Sequence, residues 1–531
     1  MKKYWREGEP FVWATGVALG MTLLIAATLI VVVLVNGLGV FWPSDVAMAR
    51  LHSGQTVIGE IIKREPTASG EGERIQFKIG NRDLYGLDFR WIDEADIAAM
   101  DYPDEITVIE REEYGNFYGT LVRVQTPAGE HTQAPLTEPL EKMLAQVEEL
   151  EKPLVKSADD LARLNREMEK LRRQELKLVY QGVDDADSRL VELQQQQAVL
   201  REDFEQIVSQ QGKKAAELTR YQVVVADAGG QEKEIEGSHI VRFYQPNALS
   251  WGDKSLIYAG KLWELIFGEP RESNTEGGLF PAIFGTVMLI FLMTLVTFPL
   301  GVIAAVYLRE YAKDGVVVRL VRIAVNNLAG IPSIVYGIFG LGFFVYGIGS
   351  TIDKIFFPEQ LPTPTFGTGG ILWASLTLAL LTVPVVIVST EEALGAIPAG
   401  VREGSLSLGA TKFQTLMRTL LPMASPGIMT GLILAMARAA GEVAPLMITG
   451  VVKLAPALPL DGNFPYIHLD RKFMHLGFHI YDIGFQSPNV EAAKPMVFVT
   501  TLLLVLIVLI MSSVAIYLRN KMKKRYTYST F

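Results

Sequence analysis

Residues 280–308 read FPAIFGTVMLIFLMTLVTFPLGVIAAVYL, a run without a single charged side chain. At about 1.5 Å per residue, a helix of this length crosses the ~30 Å hydrocarbon core of a lipid bilayer. Comparable apolar runs lie at 11–42, 323–349, 369–390, 422–450 and 495–518. The sequence therefore predicts a membrane protein with six transmembrane helices.

Lysine and arginine residues flank these runs unevenly. Cytoplasmic loops of membrane proteins carry an excess of both residue types. They gather before the first run, between the second and third, between the fourth and fifth, and after the sixth: Lys2, Lys3, Arg6, Arg309, Lys313, Arg319, Arg322, Arg402, Lys412, Arg418, Arg519, Lys521, Lys523, Lys524 and Arg525. The distribution predicts that both termini are cytoplasmic and that residues 43–275 lie on the outer side.

The formal charge of −9 arises mainly from acidic residues in the block between the first two runs. That block has no basic stripe interleaved with aromatic residues, so nucleic acid is not an expected partner. The chain contains no cysteine, which excludes disulfides and Cys-ligated metals. Ala47-Met48-Ala49 formally resembles a signal-peptidase site, but the preceding apolar run is about 30 residues long, against 7–15 in a signal peptide, so a retained helix is favoured.

The block at 43–275 is expected to be an α+β domain. Alternating apolar and polar residues predict β-strands at 56–62, 74–79, 84–92, 106–111, 118–124, 222–225 and 239–244. Between them, leucines at 3–4 spacing predict a coiled-coil-like helical hairpin at about 136–215, weakened by Pro153 and broken at 181–185. Residues 256–267 look like an amphipathic helix. The block shows no catalytic constellation, so it is either a passive spacer or a docking arm for another protein.

The segment after the fourth run contains EGSLSLG at 403–409, then nine residues, then TLLP at 419–422. This spacing resembles the loop of ABC-importer permeases that docks on the ATPase subunit. The resemblance implies that the following residues form the docking loop: Arg402, Glu403, Gly404, Ser405, Gly409, Leu421 and Pro422. The alternative is an ordinary amphipathic helix pair.

Gly404 and Gly409 also have the glycine spacing of a phosphate-binding P-loop. Ala410-Thr411 follows them in place of Lys-Ser/Thr, so the lysine that reaches the phosphates is missing. No other nucleotide-binding motif of this type occurs. We therefore expect ATP and Mg²⁺ to bind a separate ATPase subunit, and no cofactor or catalytic site on this chain.

Two charged residues lie within the fifth run, Arg438 and Glu442. An arginine in the middle of a membrane helix costs about 2.5–3.5 kcal/mol, so such residues normally face a polar pathway or a partner. The guanidinium fork matches phosphate oxygens, and the carboxylate can accept a hydrogen bond from the P–OH group that phosphate retains near neutral pH. The alternative is a structural ion pair. Four-residue spacing predicts that both side chains share one helix face.

The sequence RAAGEVAPL at 438–446 is similar to the fifth-span motif of the A-subunit permeases of phosphate-specific transport (Pst) importers, and residues 277–286 and 327–337 also look like that family. The resemblance implies a type I, MetI-like core of six transmembrane helices in the bacterial inner membrane. It also implies phosphate transport with a second permease as heterodimer partner, two ATPase copies, a periplasmic phosphate-binding protein and surrounding lipid. Sulfate or molybdate import, a membrane receptor and a secondary transporter are the alternatives.

These observations predict four segments: 1–42 with the first helix, 43–275 as the periplasmic domain, 276–525 as the permease with its loop at 390–422, and a cytoplasmic tail at 526–531. Glycines and Pro332 in the third run favour close helix packing or a kink, or else a broken helix that lines the route. His468, His475 and His479 lack an acidic ligand cluster, so we expect packing and no metal, with 473–481 as an interfacial helix.

Overall fold

The computed structural model describes residues 9–67, 72–487 and 489–527. Lys2, Lys3, Arg6 and residues 528–531 of the predicted tail lie outside them. The chain divides into two compact units. The first, which we call the helical unit, comprises residues 1–40, 279–357 and 363–531; the second, the inserted unit, comprises 41–278 and 358–362.

The helices are numbered in chain order. They are α1 Glu9–Gly39, α2 Arg82–Tyr85, α3 Thr137–Tyr180, α4 Ser188–Leu218, α5 Trp251–Phe267, α6 Phe280–Val306, α7 Val316–Leu328, α8 Ser333–Phe339, α9 Ser350–Phe356, α10 Ile371–Gly395, α11 Ala399–Ser407, α12 Lys412–Thr415, α13 Leu421–Gly441, α14 Ala444–Thr449, α15 Leu476–Tyr481 and α16 Val490–Thr527. Wide π-helical turns extend α6 to Tyr311, join α8 to α9 and join α12 to α13.

The strands are β1 Val46–Leu51, β2 Thr56–Pro66, β3 Glu73–Lys78, β4 Phe89–Asp93, β5 Ile97–Asp101, β6 Thr107–Arg111, β7 Phe117–Thr126, β8 Gly129–His131, β9 Gln222–Ala226, β10 Glu232–Glu236, β11 Ile240–Tyr244, β12 Pro270–Arg271 and β13 Glu276–Gly277. All pairings between them are antiparallel.

The six predicted membrane helices are confirmed. Among the described residues, six helices are long and apolar enough to cross a membrane: Phe11–Gly39, Phe280–Tyr311, Ser333–Phe356, Ile371–Gly395, Lys412–Gly441 and Val490–Lys524. The helix at Ile371–Gly395 is the most buried and packs between α6 and α13, so it forms the centre of the helical unit. Buried hydroxyls join α6 to α10, since Thr297 and Thr382 lie 3.1 Å apart.

The third and fifth spans depart most from their predicted boundaries of 323–349 and 422–450, since they run Ser333–Phe356 and Lys412–Gly441. The third span begins at Ser333 and not at 323, because Pro332 lacks an N–H group and disfavours a helical conformation in the residue before it. Residues Val316–Leu328 instead form a separate amphipathic helix, α7. The fifth span ends at Gly441 and not at 450, because Glu442 adopts an extended backbone before the short helix α14 begins.

The predicted interfacial helix at 473–481 is also wrong. Phe473 and Leu476 are fully buried, so the segment belongs to the core of the helical unit. His475 and His479 are buried as well, and Nδ1 of His479 lies 3.0 Å from the Thr500 hydroxyl. Both histidines therefore act as packing residues, as the sequence predicted.

The inserted unit contains two main sheets. Their strand orders are β4-β3-β2-β1-β5 and β10-β9-β7-β6-β11, with β8 paired to β7. The predicted strand at 84–92 is wrong in its first half, since α2 and a left-handed Gly86 precede β4. Strands β1, β5, β8 and β10 were not predicted. The segment Ala47–Ala49 lies within β1, where both alanines are fully buried.

A helical hairpin joins β8 to β9. Its base is fixed in the core by Leu140, Met143 and Val147 on α3, all less than 4% exposed. The two helices are antiparallel, because Glu175 accepts from Gln194 near the tip while Gln211 donates to Ser157 nearer the base. Pro153 does not interrupt α3, which runs for 44 residues. The amphipathic helix expected at 256–267 is present as α5.

Candidate functional site

The breaks in the third and fifth apolar runs meet inside the helical unit. Arg438 lies in the last turn of α13, and its Nε is 3.6 Å from Oε1 of Glu442. The four-residue spacing predicted that both side chains share one helix face, and this prediction is wrong. Glu442 lies just after the end of the helix, with φ −83° and ψ 124°. The two side chains are nevertheless in contact, because Glu442 directly follows the last turn of α13, which contains Arg438.

The guanidinium of Arg438 also reaches the break between α7 and α8. Its Nη1 and Nη2 lie 3.4 and 3.5 Å from the carbonyl oxygen of Ala329. Both contacts are long, and the side chains of Arg438 and Glu442 are 31% and 19% exposed. The pair is therefore shielded yet accessible, and the guanidinium keeps donor capacity for an anion.

Close packing fixes the position of α8 relative to α7 and α14. The Tyr336 hydroxyl donates to the carbonyl of Leu328 at 2.7 Å, which fastens α8 to the end of α7. A side chain at Gly337 would place its Cβ 2.7 Å from Cα of Pro445, so glycine is needed where α8 crosses α14. The sequence predicted close packing as one role for the glycines of the third run, which include Gly337, but it did not identify Tyr336 or the Ala329 carbonyl as parts of this site.

The 390–422 loop forms two short helices. Gly409, with φ +87°, provides the left-handed turn between α11 and α12, and Thr411 caps α12 in a reciprocal pair with Gln414. The Ser405 hydroxyl lies 2.9 Å from that of Thr415 and so joins the two helices.

Three of the seven candidate docking residues are exposed: Glu403, Gly404 and Gly409. Leu408, which directly precedes Gly409, is 90% exposed. Leu421 and Pro422 are half-buried at the start of α13. Arg402 differs from the others, because its guanidinium turns into the protein and contacts Glu310.

Metal binding has no support among residues 9–67, 72–487 and 489–527. No three histidine, aspartate or glutamate side chains converge there as they would around a metal ion. The candidate site is therefore an ionic pair at two helix breaks, together with a loop that presents a polar and apolar surface.

Comparisons with known proteins point to transport. Residues 297–524 match the family described as binding-protein-dependent transport system inner membrane component. The probable phosphate transport system permease protein PstA of Methanocaldococcus jannaschii is 34% identical over 221 residues, covering 41% of this chain and 67% of the relative. The probable ABC transporter permease protein YqgI of Bacillus subtilis is 33% identical over 225 residues, covering 41% of this chain and 70% of the relative.

A further relative is the phosphate transport system permease protein PstA of Yersinia pestis, 36% identical over 182 residues, which cover 34% of this chain and 56% of the relative. Among solved structures, a chain of the MetNI methionine ABC transporter aligns with a TM-score of 0.35 and 19% identity, covering 50% of this chain and 98% of that chain. A bacterial transporter that imports alginate aligns with a TM-score of 0.35 and 16% identity, covering 45% and 78%.

Proposed function

The chain belongs to the family of binding-protein-dependent transport system inner membrane components, and from this we propose that it is the permease subunit of an ATP-driven importer of inorganic phosphate. The observation that carries the proposal is the Arg438–Glu442 pair, which lies where the end of the fifth span meets the break between α7 and α8. Within a membrane, irregular backbone is tolerated where it is buried in protein or lines a cavity. The names of the M. jannaschii and Y. pestis relatives support phosphate as the substrate.

The chemistry of the pair suits phosphate. Arg438 supplies a planar fork of donors for two anion oxygens, and its present contacts to Ala329 are long enough to yield to a ligand. Glu442 supplies an acceptor for the P–OH group of a protonated phosphate. Sulfate carries no proton near neutral pH, so the carboxylate repels it and adds selectivity.

The proposed assembly follows the family. A second permease completes the pathway as a heterodimer, a periplasmic phosphate-binding protein delivers the anion, and two ATPase copies dock on the 390–422 loop and hold ATP and Mg²⁺. The termini are cytoplasmic, the membrane is the bacterial inner membrane, and the inserted unit is periplasmic. Exposed Glu403, Gly404 and Leu408 support the docking role of the loop.

The test is uptake of labelled phosphate by the complex reconstituted in vesicles with ATP inside, with sulfate and molybdate as competitors. We expect Arg438→Gln to reduce phosphate uptake by about tenfold or more, since a charged hydrogen bond contributes about 1.5–3 kcal/mol. Glu442→Gln is expected to weaken discrimination between phosphate and sulfate. Arg438→Lys keeps the charge without the fork and should fall between wild type and Arg438→Gln.

Arg319→Gln is the matched control, because Arg319 is exposed on α7. It should leave uptake unchanged. Normal phosphate uptake by both Arg438→Gln and Glu442→Gln in an assembled complex would contradict the proposed pathway. Stronger competition by sulfate or molybdate than by phosphate itself would identify another oxyanion as the substrate.

A further inference from the structure

Arg402 connects three helices at one end of the helical unit. Its Nη2 lies 2.9 Å from Oε1 of Glu310, and its Nε lies 3.2 Å from the same oxygen. The guanidinium also donates to the carbonyls of Leu394, at 2.6 Å, and Ile397, at 2.8 Å. Arg402 and Glu310 are only 23% and 17% exposed, so these contacts are shielded from water.

The partners of Arg402 lie at the ends of two membrane helices. The carbonyls of Leu394 and Ile397 lie at and just beyond the C-terminal end of α10, where helix carbonyls lack intrahelical partners and a cation is favourable. Glu310 lies in the wide turn that extends α6. A single side chain from α11 therefore holds the ends of both α6 and α10.

Arg322 makes a similar connection from α7. Its Nε lies 3.2 Å from Oε1 of Glu391 on α10, and its Nη2 donates to the carbonyl of Leu308 at 3.0 Å. At the other end of α7, the carbonyl of Ala329 faces the guanidinium of Arg438. Helix α7 thus links the end of α10 to the proposed phosphate site through groups that the structure places in direct contact.

We propose that Arg402 and Arg322 are positioning residues that transmit movement of the 390–422 loop to α7 and, through Ala329, to Arg438. This inference rests on the proposed function. Displacement of α11 would pull on α10 and α6 through Arg402, and displacement of α10 would pull on α7 through Arg322. The non-helical segment between α7 and α8 leaves room for α7 to move relative to α8, because Gly330 has no side-chain atom within 4 Å.

The geometry of these contacts matters as much as the charge, because each guanidinium holds a carboxylate and at least one backbone carbonyl at once. A guanidinium fork holds its partners in one orientation, whereas a lysine ammonium is a point charge on a flexible stem. Replacing either arginine by lysine should therefore preserve folding and charge but loosen the connection. A residue that merely stabilised the fold would change the amount of assembled complex, while a transmission residue would change the amount of phosphate moved per ATP hydrolysed.

The experiment uses the complete reconstituted complex and measures ATP hydrolysis and phosphate uptake in the same vesicles. Arg402→Lys and Glu310→Gln are each expected to lower phosphate moved per ATP by about tenfold while ATP hydrolysis continues, since coupling between sites is typically worth 5- to 150-fold. The double variant should be no worse than the single variants, because both remove one contact. Arg322→Lys should lower the same ratio.

Arg319→Lys is the matched control, since Arg319 is exposed on α7 about one turn before Arg322 and lies outside the 390–422 loop, and it should leave the ratio unchanged. An unchanged ratio in Arg402→Lys and Glu310→Gln, or a double variant whose defect is the product of the single defects, would overturn the inference. If the wild-type complex itself moves no phosphate, the proposed function fails; if the wild type transports and the variants transport normally, only this inference fails.

Discussion

Acidification is expected to destabilise the helical unit through His475, which lies at the start of α15 and is 1% exposed. Its Nδ1 accepts a hydrogen bond from the backbone N–H of Gly477 at 3.1 Å, so the ring is neutral with the proton on Nε2. Nε2 is buried and has no hydrogen-bond partner among the described residues. Protonation would place a second donor against the Gly477 N–H group and a charge in an apolar environment.

The structure sets the direction and size of this effect. Burial lowers the pKa of His475 to about 4, from an ordinary value of 6.5. Because the pKa is lower in the folded state, the stabilisation is complete above pH 6.5 and is lost as the pH falls from 6.5 towards 4. At about 1.4 kcal/mol per pH unit, the full loss is about 3 kcal/mol, and about 2 kcal/mol of it is reached by about pH 5.

The informative variant is His475→Asn. Asparagine does not titrate, and its side-chain oxygen can still accept the N–H of Gly477, because asparagine is a favoured residue at this helix position. Thermal unfolding of the purified protein in detergent should show wild type losing stability between pH 6.5 and 5 more steeply than the variant. His131→Asn, at an exposed histidine in β8, should behave as wild type. Equal slopes for wild type and His475→Asn would refute the reasoning.

Two further predictions concern packing and buried charge. Gly337→Ala should destabilise the helical unit by about 1–3 kcal/mol and reduce phosphate uptake, because the new methyl group would lie 2.7 Å from the backbone of α14. Gly342→Ala is the control, since a Cβ there has nothing within 4 Å, and it should leave stability unchanged. Thermal unfolding of the two variants compares them. Asp83→Asn should destabilise the inserted unit by about 3–5 kcal/mol in chemical denaturation, because Arg111 is 4% exposed and loses its carboxylate partner. Glu65→Gln, at an exposed ion pair, should destabilise it far less.

The sequence predicted the membrane helices well because their signal is local. Length and apolar composition suffice to identify a span, whatever it packs against. The errors fall where the helix is interrupted. Pro332 marked a possible kink in the third run, but the break at Glu442 was not predicted, although Gly441 precedes it and Pro445 follows it. This break occurs where Pro445 packs against Gly337. An apolar run alone does not reveal such a break.

In the inserted unit too, elements with a clear local pattern were predicted and others were missed. Strands with regular alternation were predicted, while β5, a short strand at a sheet edge, and β10 were not. Residues 84–92 contain enough apolar side chains to look like one strand, but Gly86 takes a left-handed conformation that ends α2 and delays β4. Local propensity could not decide this, because α2 is anchored by residues distant in sequence: Asn81, just before it, exchanges hydrogen bonds with the backbone of Tyr118, and Asp83 pairs with Arg111.

The groups of the candidate site could be read from the sequence alone: an arginine and a carboxylate in the fifth apolar run, and a loop that resembles the docking loop of ABC-importer permeases. The partners of these groups depend on how distant segments of the chain pack. Arg438 meets the carbonyl of Ala329, 109 residues earlier, and Arg402 turns inward to Glu310, 92 residues earlier. The length of an apolar run and the spacing of residues along a helix are properties of neighbouring residues, whereas these contacts arise when separate helices pack. The functional groups were therefore predictable from the sequence, and their arrangement was not.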